Sequence, residues 1–205
     1  KPVVMATVPR LWESIKLGFE DAVDKMPKLR KMLIRSAISN SKAYKLARRK
    51  NYFLTIESVS SFEQIVSTLE MILRYPIHRI SSTFLWPKIL TKICGGRLRF
   101  PISGGGAIAP HIDSFFEALG IELLVGDGLT ETSPVLTCRR PWRNIRGGAG
   151  QPLPETEIKI VDPETFHIRR LRQKGLVLAR GPQIMSGYLG TVSYTHLRAH
   201  ETRPN

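Results

Sequence analysis

The chain has 205 residues, 42% hydrophobic and 23% charged, with 31 Lys and Arg against 17 Asp and Glu and a formal charge of +14. This composition excludes a disordered or collagen-like polymer, and a chain of this length buries roughly 70% of its extended surface, enough to fold without disulfides or a structural metal. No run reaches the ~20 apolar residues of a membrane span, and the two cysteines, Cys94 and Cys138, form no zinc or disulfide pattern and read as buried, inert thiols of a reducing compartment.

The chain opens at Lys1 with neither signal-peptide nor transit-peptide composition, and reads as the interior of a longer protein. Pro9 suits a first helical turn, and Leu11, Trp12, Ile15, Phe19, Ala22, Val23 and Met26 recur at helical spacing up to Pro27. A second helix follows over 28–50, where Leu29, Met32, Leu33, Ala37 and Leu46 are surrounded by Lys and Arg. Ser60 and Glu63 have capping-box spacing and open a third helix with an apolar stripe of Ile65, Val66, Leu69, Ile72 and Leu73, expected to stop at Pro76. Residues 77–96 read as helical up to the Gly95-Gly96 break.

From Leu98 the texture changes to short apolar runs separated by glycine. Residues 98–102 read as a strand, Ser103 to Gly106 as a loop, 110–119 as a helix and 121–125 as a second strand, which is the β-loop-α-β unit of an α/β fold. Two more strands are expected over 157–161 and 175–179, with a turn at Asp162-Pro163. Segment 191–205 follows no period, resembles translated vector or adaptor sequence, and stands outside the fold argument; its His196 and His200 lack the partners of a metal site.

Charge divides the chain. Residues 1–100 hold 19 basic and 7 acidic side chains, a net of +12, whereas 101–190 hold 10 and 9. The basic helices read either as a solvated face or as a surface for an acidic partner, an anionic membrane or nucleic acid. The scarcity of aromatics among the basic residues beyond Trp12 and Phe19 argues against a single-strand nucleic-acid platform.

Three clusters carry chemistry. Ser103-Gly104-Gly105-Gly106-Ala107 lies between strand and helix, where glycines let backbone approach a ligand, or simply make a tight turn. Gly126-Asp127-Gly128-Leu129-Thr130-Glu131-Thr132 follows the next strand, where ligands of open α/β sheets bind; a hydroxyl beside a carboxylate suits Mg²⁺ and phosphate, though a polar cap has the same composition. The third, Gly175 to Leu189, is a strand with a Gly-Pro turn and a Gly-Tyr step, structural when taken alone.

Together and in this order the clusters resemble the adenylate-forming (AMP-binding) acyl-CoA synthetase superfamily. Ser103 to Ala107 looks like its glycine loop beside adenine, Gly128-Leu-Thr-Glu-Thr132 like its Tyr-Gly-x-Thr-Glu motif, and Gly175 to Leu189 like its Gly-Glu-[ILV]-x-x-[RK]-Gly-Pro-x-x-x-x-Gly-Tyr motif. Glu131-Thr-Ser-Pro134, Arg139-Arg-Pro-Trp-Arg-Asn144 and Gly150-Gln-Pro-Leu-Pro154 are most similar to the long-chain fatty acid ligases, in particular the acyl-ACP synthetase branch of cyanobacteria and plastids. The strong match spans 98–190, and 1–97 fits the branch's helical insertion, most clearly at Val8-Pro-Arg-Leu-Trp-Glu13.

The resemblance implies a fragment of the large N-terminal α/β domain of such a synthetase. It implies ATP, AMP and Mg²⁺ as cofactors, a long-chain fatty acid as substrate, and CoA or the phosphopantetheine of acyl carrier protein as acceptor. Cytoplasm or plastid are the implied compartments, with peripheral membrane contact through the basic half. By the same mapping Thr130 contacts phosphate, Glu131 holds Mg²⁺, and Ser103 to Ala107 with Asp127, Gly128 and Leu129 line the nucleotide. Two departures stand out: the family's adenine-stacking aromatic falls at Asp127, which has no ring, and residues 166–172 replace a Pro/Gly-rich turn. The phosphate loop, the ribose-binding Asp motif and the domain with the catalytic Lys belong, in the family, upstream of residue 1 and downstream of residue 190, so the fragment by itself is expected to be inactive.

Overall fold

The computed structural model describes residues 3–189, so segment 191–205 with its two histidines lies outside the described residues. The fold is mixed α/β with a helical first half, and it separates into two compact units. Among the described residues the first comprises 3–126 with 139–150, the second 127–138 with 151–189.

In the first unit, β1 (Val4–Thr7), β2 (Phe100–Ser103) and β3 (Leu124–Asp127, which ends one residue into the second unit) run parallel in that order, with Thr7 in register with Ser103 and Ser103 with Val125. All three therefore end at the same sheet edge. β1 is a strand absent from the sequence reading, because four residues with half-exposed faces carry no distinguishable alternation. β2 and β3 begin later than expected, because residues 121–123 are not yet paired into the sheet.

Helix α1 (Pro9–Asp24) begins on Pro9, and α2 (Lys28–Asn51) follows Pro27. Helix α3 (Ser61–Ile80) opens on the expected capping box, with Glu63 N–H donating to Ser60 Oγ at 3.2 Å and Ser60 N–H to Glu63 Oε2 at 3.0 Å. It does not stop at Pro76. The missing proline N–H costs one ladder bond, but Asn40 Nδ2 donates to Arg74 O at 3.1 Å and α2 braces the same turn. The chain continues through a π turn at Ser81–Leu85 into α4 (Trp86–Cys94), closed by Gly95 at φ 72°.

Helix α5 (Pro110–Ala118) lies between β2 and β3 in the chain and supplies the centre of the core. Phe116 meets Trp12 edge-on at 4.9 Å, Phe115 meets Phe19 at 5.3 Å, and Trp86, Ile112, Leu119 and Leu123 close around them. The helical front half and the α/β segment thus share one core. Trp12 Nε1 also donates to Thr7 Oγ1 at 2.7 Å, which in turn donates to Ile102 O at 2.9 Å, tying α1 to the sheet.

Buried charge fastens segment 139–150 to this core. Asp113, 3% exposed, accepts from Arg139 Nη1 at 2.7 Å and from Arg146 Nη1, while Arg139 Nε donates to Gly148 O at 2.7 Å. Glu117 lies 3.6 Å from Arg49 and 3.8 Å from Arg146, and Asn144 donates to Leu123 O at 3.1 Å. Burial raises the Glu117 carboxyl above its ordinary range, and burial with Arg49 nearby brings Arg146 down to about 9.

In the second unit β4 (Thr137–Cys138) pairs antiparallel with β5 (Gln151–Pro152), and β6 (Glu157–Val161) with β7 (Leu176–Arg180). The long β6–β7 connection is organised by Asp162, whose Oδ1 accepts from the N–H groups of Glu164 and Thr165. An Asx turn therefore does the work of the Pro/Gly-rich turn, with Phe166 and Arg172 at positive φ.

Candidate functional site

The glycine loop leaves β2 at the sheet's carboxyl edge. Ser103 is not on its surface: it is fully buried within the sheet, and its Oγ has no hydrogen-bond partner among the described residues. Gly104 is half-buried, and Gly105, Gly106 and Ala107 are exposed. Only Gly105, at φ 75°, is required by the backbone. A Cβ on Gly104 would sit 3.6 Å from Gly126 O and one on Gly106 3.7 Å from Pro9 Cγ, both ordinary contacts. The fold would thus accept a Cβ at Gly104 and Gly106, and the open space lies over Gly105.

The Thr-Glu loop belongs to the second unit and is held independently. Gly128 is there for packing: a Cβ would lie 2.1 Å from Pro134 O and 2.9 Å from Leu136 N. Thr132, buried, accepts from Leu129 N–H and donates to Leu129 O, both at 2.9 Å, which closes the 3₁₀ turn Thr130–Thr132. The sequence places Thr132 in the second cluster without a role of its own, although its i, i+3 spacing from Leu129 is that of a side-chain turn lock. Leu129 is half-buried, while Asp127 and the Thr130 hydroxyl are exposed.

Glu131 is the anchored member. Its backbone carbonyl accepts from Met185 N–H at 3.0 Å and its Oε1 accepts from the Tyr188 hydroxyl at 2.5 Å. The Tyr188 bond, aided by Glu131's own backbone, holds the carboxyl below the ordinary carboxylate range, and the same bond raises the Tyr188 phenol. The third cluster, structural on sequence grounds, therefore orients the acid of the second. An ionised carboxylate next in sequence to an exposed threonine fits Mg²⁺, which takes few protein ligands and completes its shell with water and phosphate. Among the described residues no three His, Cys, Asp or Glu side chains gather as an all-protein metal cage.

With this geometry in hand, comparison with known proteins is specific. The chain is 36% identical over 203 residues to the chloroplastic long-chain-fatty-acid–[acyl-carrier-protein] ligase AEE15 of Arabidopsis thaliana, covering 95% of this chain and 28% of that protein. It is 34% identical to the probable acyl-activating enzyme 16, chloroplastic, of the same plant, covering 92% and 27%. It is 28% identical to long-chain-fatty-acid–CoA ligase 1 of Schizosaccharomyces pombe, covering 92% and 25%. The chain thus spans about a quarter of the length of these relatives. The model of the AMP-binding enzyme family matches residues 1–189, the basic helices as well as the glycine and Thr-Glu loops, and the chain belongs to that family.

Proposed function

We propose that this chain is the central part of an AMP-forming long-chain fatty acid ligase. The fatty acid carboxylate attacks the α-phosphate of ATP, releasing pyrophosphate and forming acyl-AMP, and a phosphopantetheine thiol of CoA or acyl carrier protein then displaces AMP. The observation that carries the reading is the anchored, ionised Glu131 beside the exposed Thr130 hydroxyl. The chemistry asks for positioning and charge stabilisation rather than covalent participation of side chains.

In this reading Glu131 holds Mg²⁺, which when bound neutralises phosphate charge, and Thr130 donates to a phosphate oxygen. Gly104, Gly105, Gly106 and Ala107 present backbone to the adenine and the acyl chain, with open space over Gly105. Ser103 supports the loop from beneath. Asp127, Gly128 and Leu129 complete the nucleotide rim, with Asp127 offering a carboxylate where a ring would stack. Residues 1–97 form the helical, insertion-like part and 98–190 the α/β core of one AMP-binding domain.

The relatives named for acyl carrier protein and for the chloroplast favour a plastid enzyme with that acceptor, and the net charge of +12 over residues 1–100 is what supports peripheral membrane contact through the basic helices. A separate basic nucleic-acid module finds no support, since the family match runs unbroken from residue 1. The test is fatty-acid-dependent ATP–pyrophosphate exchange in the full-length protein that carries this chain. Exchange with a long-chain acid, lost in Glu131→Gln, is expected; a wild-type protein that exchanges with no long-chain acid overturns the proposal.

A further inference from the structure

The Thr-Glu loop is a closed ring. Leu136 N–H donates to Asp127 O at 2.8 Å, and the two arms meet where Pro134 O fills the space that a Cβ on Gly128 would need. With Thr132 locked to Leu129 as well, residues 127–136 turn as one body, and the direction of Thr130 and Glu131 depends on how the ring is held. Its tip is held by Met185 N–H on the Glu131 carbonyl and by the Tyr188 hydroxyl on the carboxylate. Its stem is Arg139, whose N–H donates to Val125 O at 2.9 Å just beyond the ring.

The Arg139 side chain fastens that stem. Its Nε donates to Gly148 O and its Nη1 to Asp113 Oδ2, both at 2.7 Å, and the Arg139 and Asp113 side chains are each only 4% exposed. Asp113 lies in the first turn of α5, the helix into which the glycine loop runs. One carboxylate therefore ties the residue that follows the Thr-Glu loop to the helix that follows the glycine loop. Stability is a weak reason for such a pair, because two buried charges gain little over apolar side chains of the same volume. What the pair supplies is geometry: a planar guanidinium with two of its donor directions committed cannot turn or shift without breaking a bond. Arg146 shares Asp113 and lies near Glu117, but in sequence it stands well past the return of the loop.

We propose that Asp113, acting through Arg139, is a positioning residue for Thr130 and Glu131: it fixes the stem from which the ring carries both side chains. This deepens the proposed function and rests on it for what Thr130 and Glu131 do, whereas the anchoring of the loop rests on the hydrogen bonds alone. Both partners of the anchor belong to this chain and are buried against each other.

The experiment compares Arg139→Lys and Asp113→Asn with Arg146→Lys in the full-length protein, at a temperature where all are folded by near-ultraviolet circular dichroism. Arg139→Lys keeps the charge but has no fork to reach Gly148 O and Asp113 together. Deuterium uptake by the amides of 128–138 is expected to quicken in Arg139→Lys and Asp113→Asn and to match the wild type in Arg146→Lys, which leaves the bond between Asp113 and Arg139 in place. In the first two variants the Mg²⁺ requirement of fatty-acid-dependent ATP–pyrophosphate exchange should rise, and its maximal rate fall, by about tenfold or more, with the KM for fatty acid unchanged. Uptake or Mg²⁺ titration that is unchanged in Arg139→Lys, or changed as much in Arg146→Lys, overturns the inference, since the cluster then acts on the fold as a whole. Should the single variants not fold, Asp113→Leu/Arg139→Met fills the same space with apolar side chains. Quickened uptake in that variant supports the anchor, and uptake at the wild-type rate overturns it. A wild-type protein without ATP–pyrophosphate exchange, together with quickened uptake in Arg139→Lys, removes the ligase reading and leaves the anchor standing.

Discussion

Tyr188 donates its hydroxyl hydrogen to Glu131 Oε1 at 2.5 Å, across 57 residues of sequence. The bond joins the Gly-Tyr step after β7 to the acid of the Thr-Glu turn, and with Met185 N–H on the Glu131 carbonyl it fixes that residue at both backbone and side chain. In the proposed function Tyr188 is then a positioning residue for the carboxylate that would hold Mg²⁺.

Tyr188→Phe should therefore change how Glu131 behaves while leaving it present. The Glu131 carboxyl is depressed, so its contribution is present above the ordinary carboxylate range and lost as pH falls through the lowered value. Without the phenol that loss begins at higher pH. In the full-length protein the acidic limb of the exchange profile should move to higher pH and the Mg²⁺ requirement should rise about tenfold, the low end for an outer-shell partner because Tyr188 is 51% exposed. An unchanged acidic limb and Mg²⁺ titration would remove the positioning role.

The pair formed by Asp113 with Arg139 and Arg146 makes a prediction about stability. Asp113 and Arg139 are buried and the Arg146 side chain is 10% exposed, and Asp113→Ala would take the acid shared by the two guanidinium groups away, with Glu117 at 3.8 Å remaining beside Arg146. Breaking a buried ion pair from one side costs about 3–5 kcal/mol. Urea unfolding should show a loss of that size, and Asp113→Asn, which keeps acceptor geometry at one oxygen, should recover part of it. A loss below about 1 kcal/mol would mean that the segment 139–150 is held by Asn144 and packing instead.

Sequence periodicity located every long helix, because caps such as Ser60 with Glu63 and breaks such as Gly95 act locally. It did not tell which side of α3 is buried. Amphipathic spacing defines two faces, and here the small polar side chains Ser41, Asn51, Ser67 and Thr68 made the closer-packing partner for α2. The expected stop at Pro76 failed because Asn40 of α2 holds the Arg74 carbonyl in the same turn. At the site, the loops were legible as motifs, but the roles within them were not. Ser103 is beneath the loop, Gly128 is fixed by Pro134, and the partner of Glu131 comes from a segment that looked purely structural. Arg49, one of the Lys and Arg of the second helix expected on a solvated or partner-facing surface, is turned inward to Glu117.

His78 couples the α2–α3 interface to pH. Its ring stacks on Tyr44 at 4.2 Å and its Nδ1 meets Ser41, and burial, with Lys45 and Arg48 nearby, lowers its pKa to about 4. A histidine that folds neutral contributes fully above its unfolded value near 6.5, and the contribution is lost as pH falls from there toward 4. Thermal stability should decline through that window, and His78→Gln, which retains a hydrogen-bonding side chain for Ser41, should flatten the decline. Equal pH dependence in the two proteins would assign the acid sensitivity elsewhere.

Asp127 closes β3, exposed and without a ring. In the proposed function it stands at the nucleotide rim where the family's ring would stack, so base stacking is what this position lacks. A base stacked on an aromatic side chain is worth about 1–3 kcal/mol. Asp127→Tyr in the full-length protein should therefore tighten ATP binding by about 5- to 150-fold and should do so for AMP as well, because the gain is made on the base and not on the phosphates. Isothermal titration with ATP, AMP and inorganic pyrophosphate separates the contributions: pyrophosphate affinity should stay constant. An Asp127→Tyr protein that binds AMP no more tightly than the wild type would place the adenine away from the end of β3.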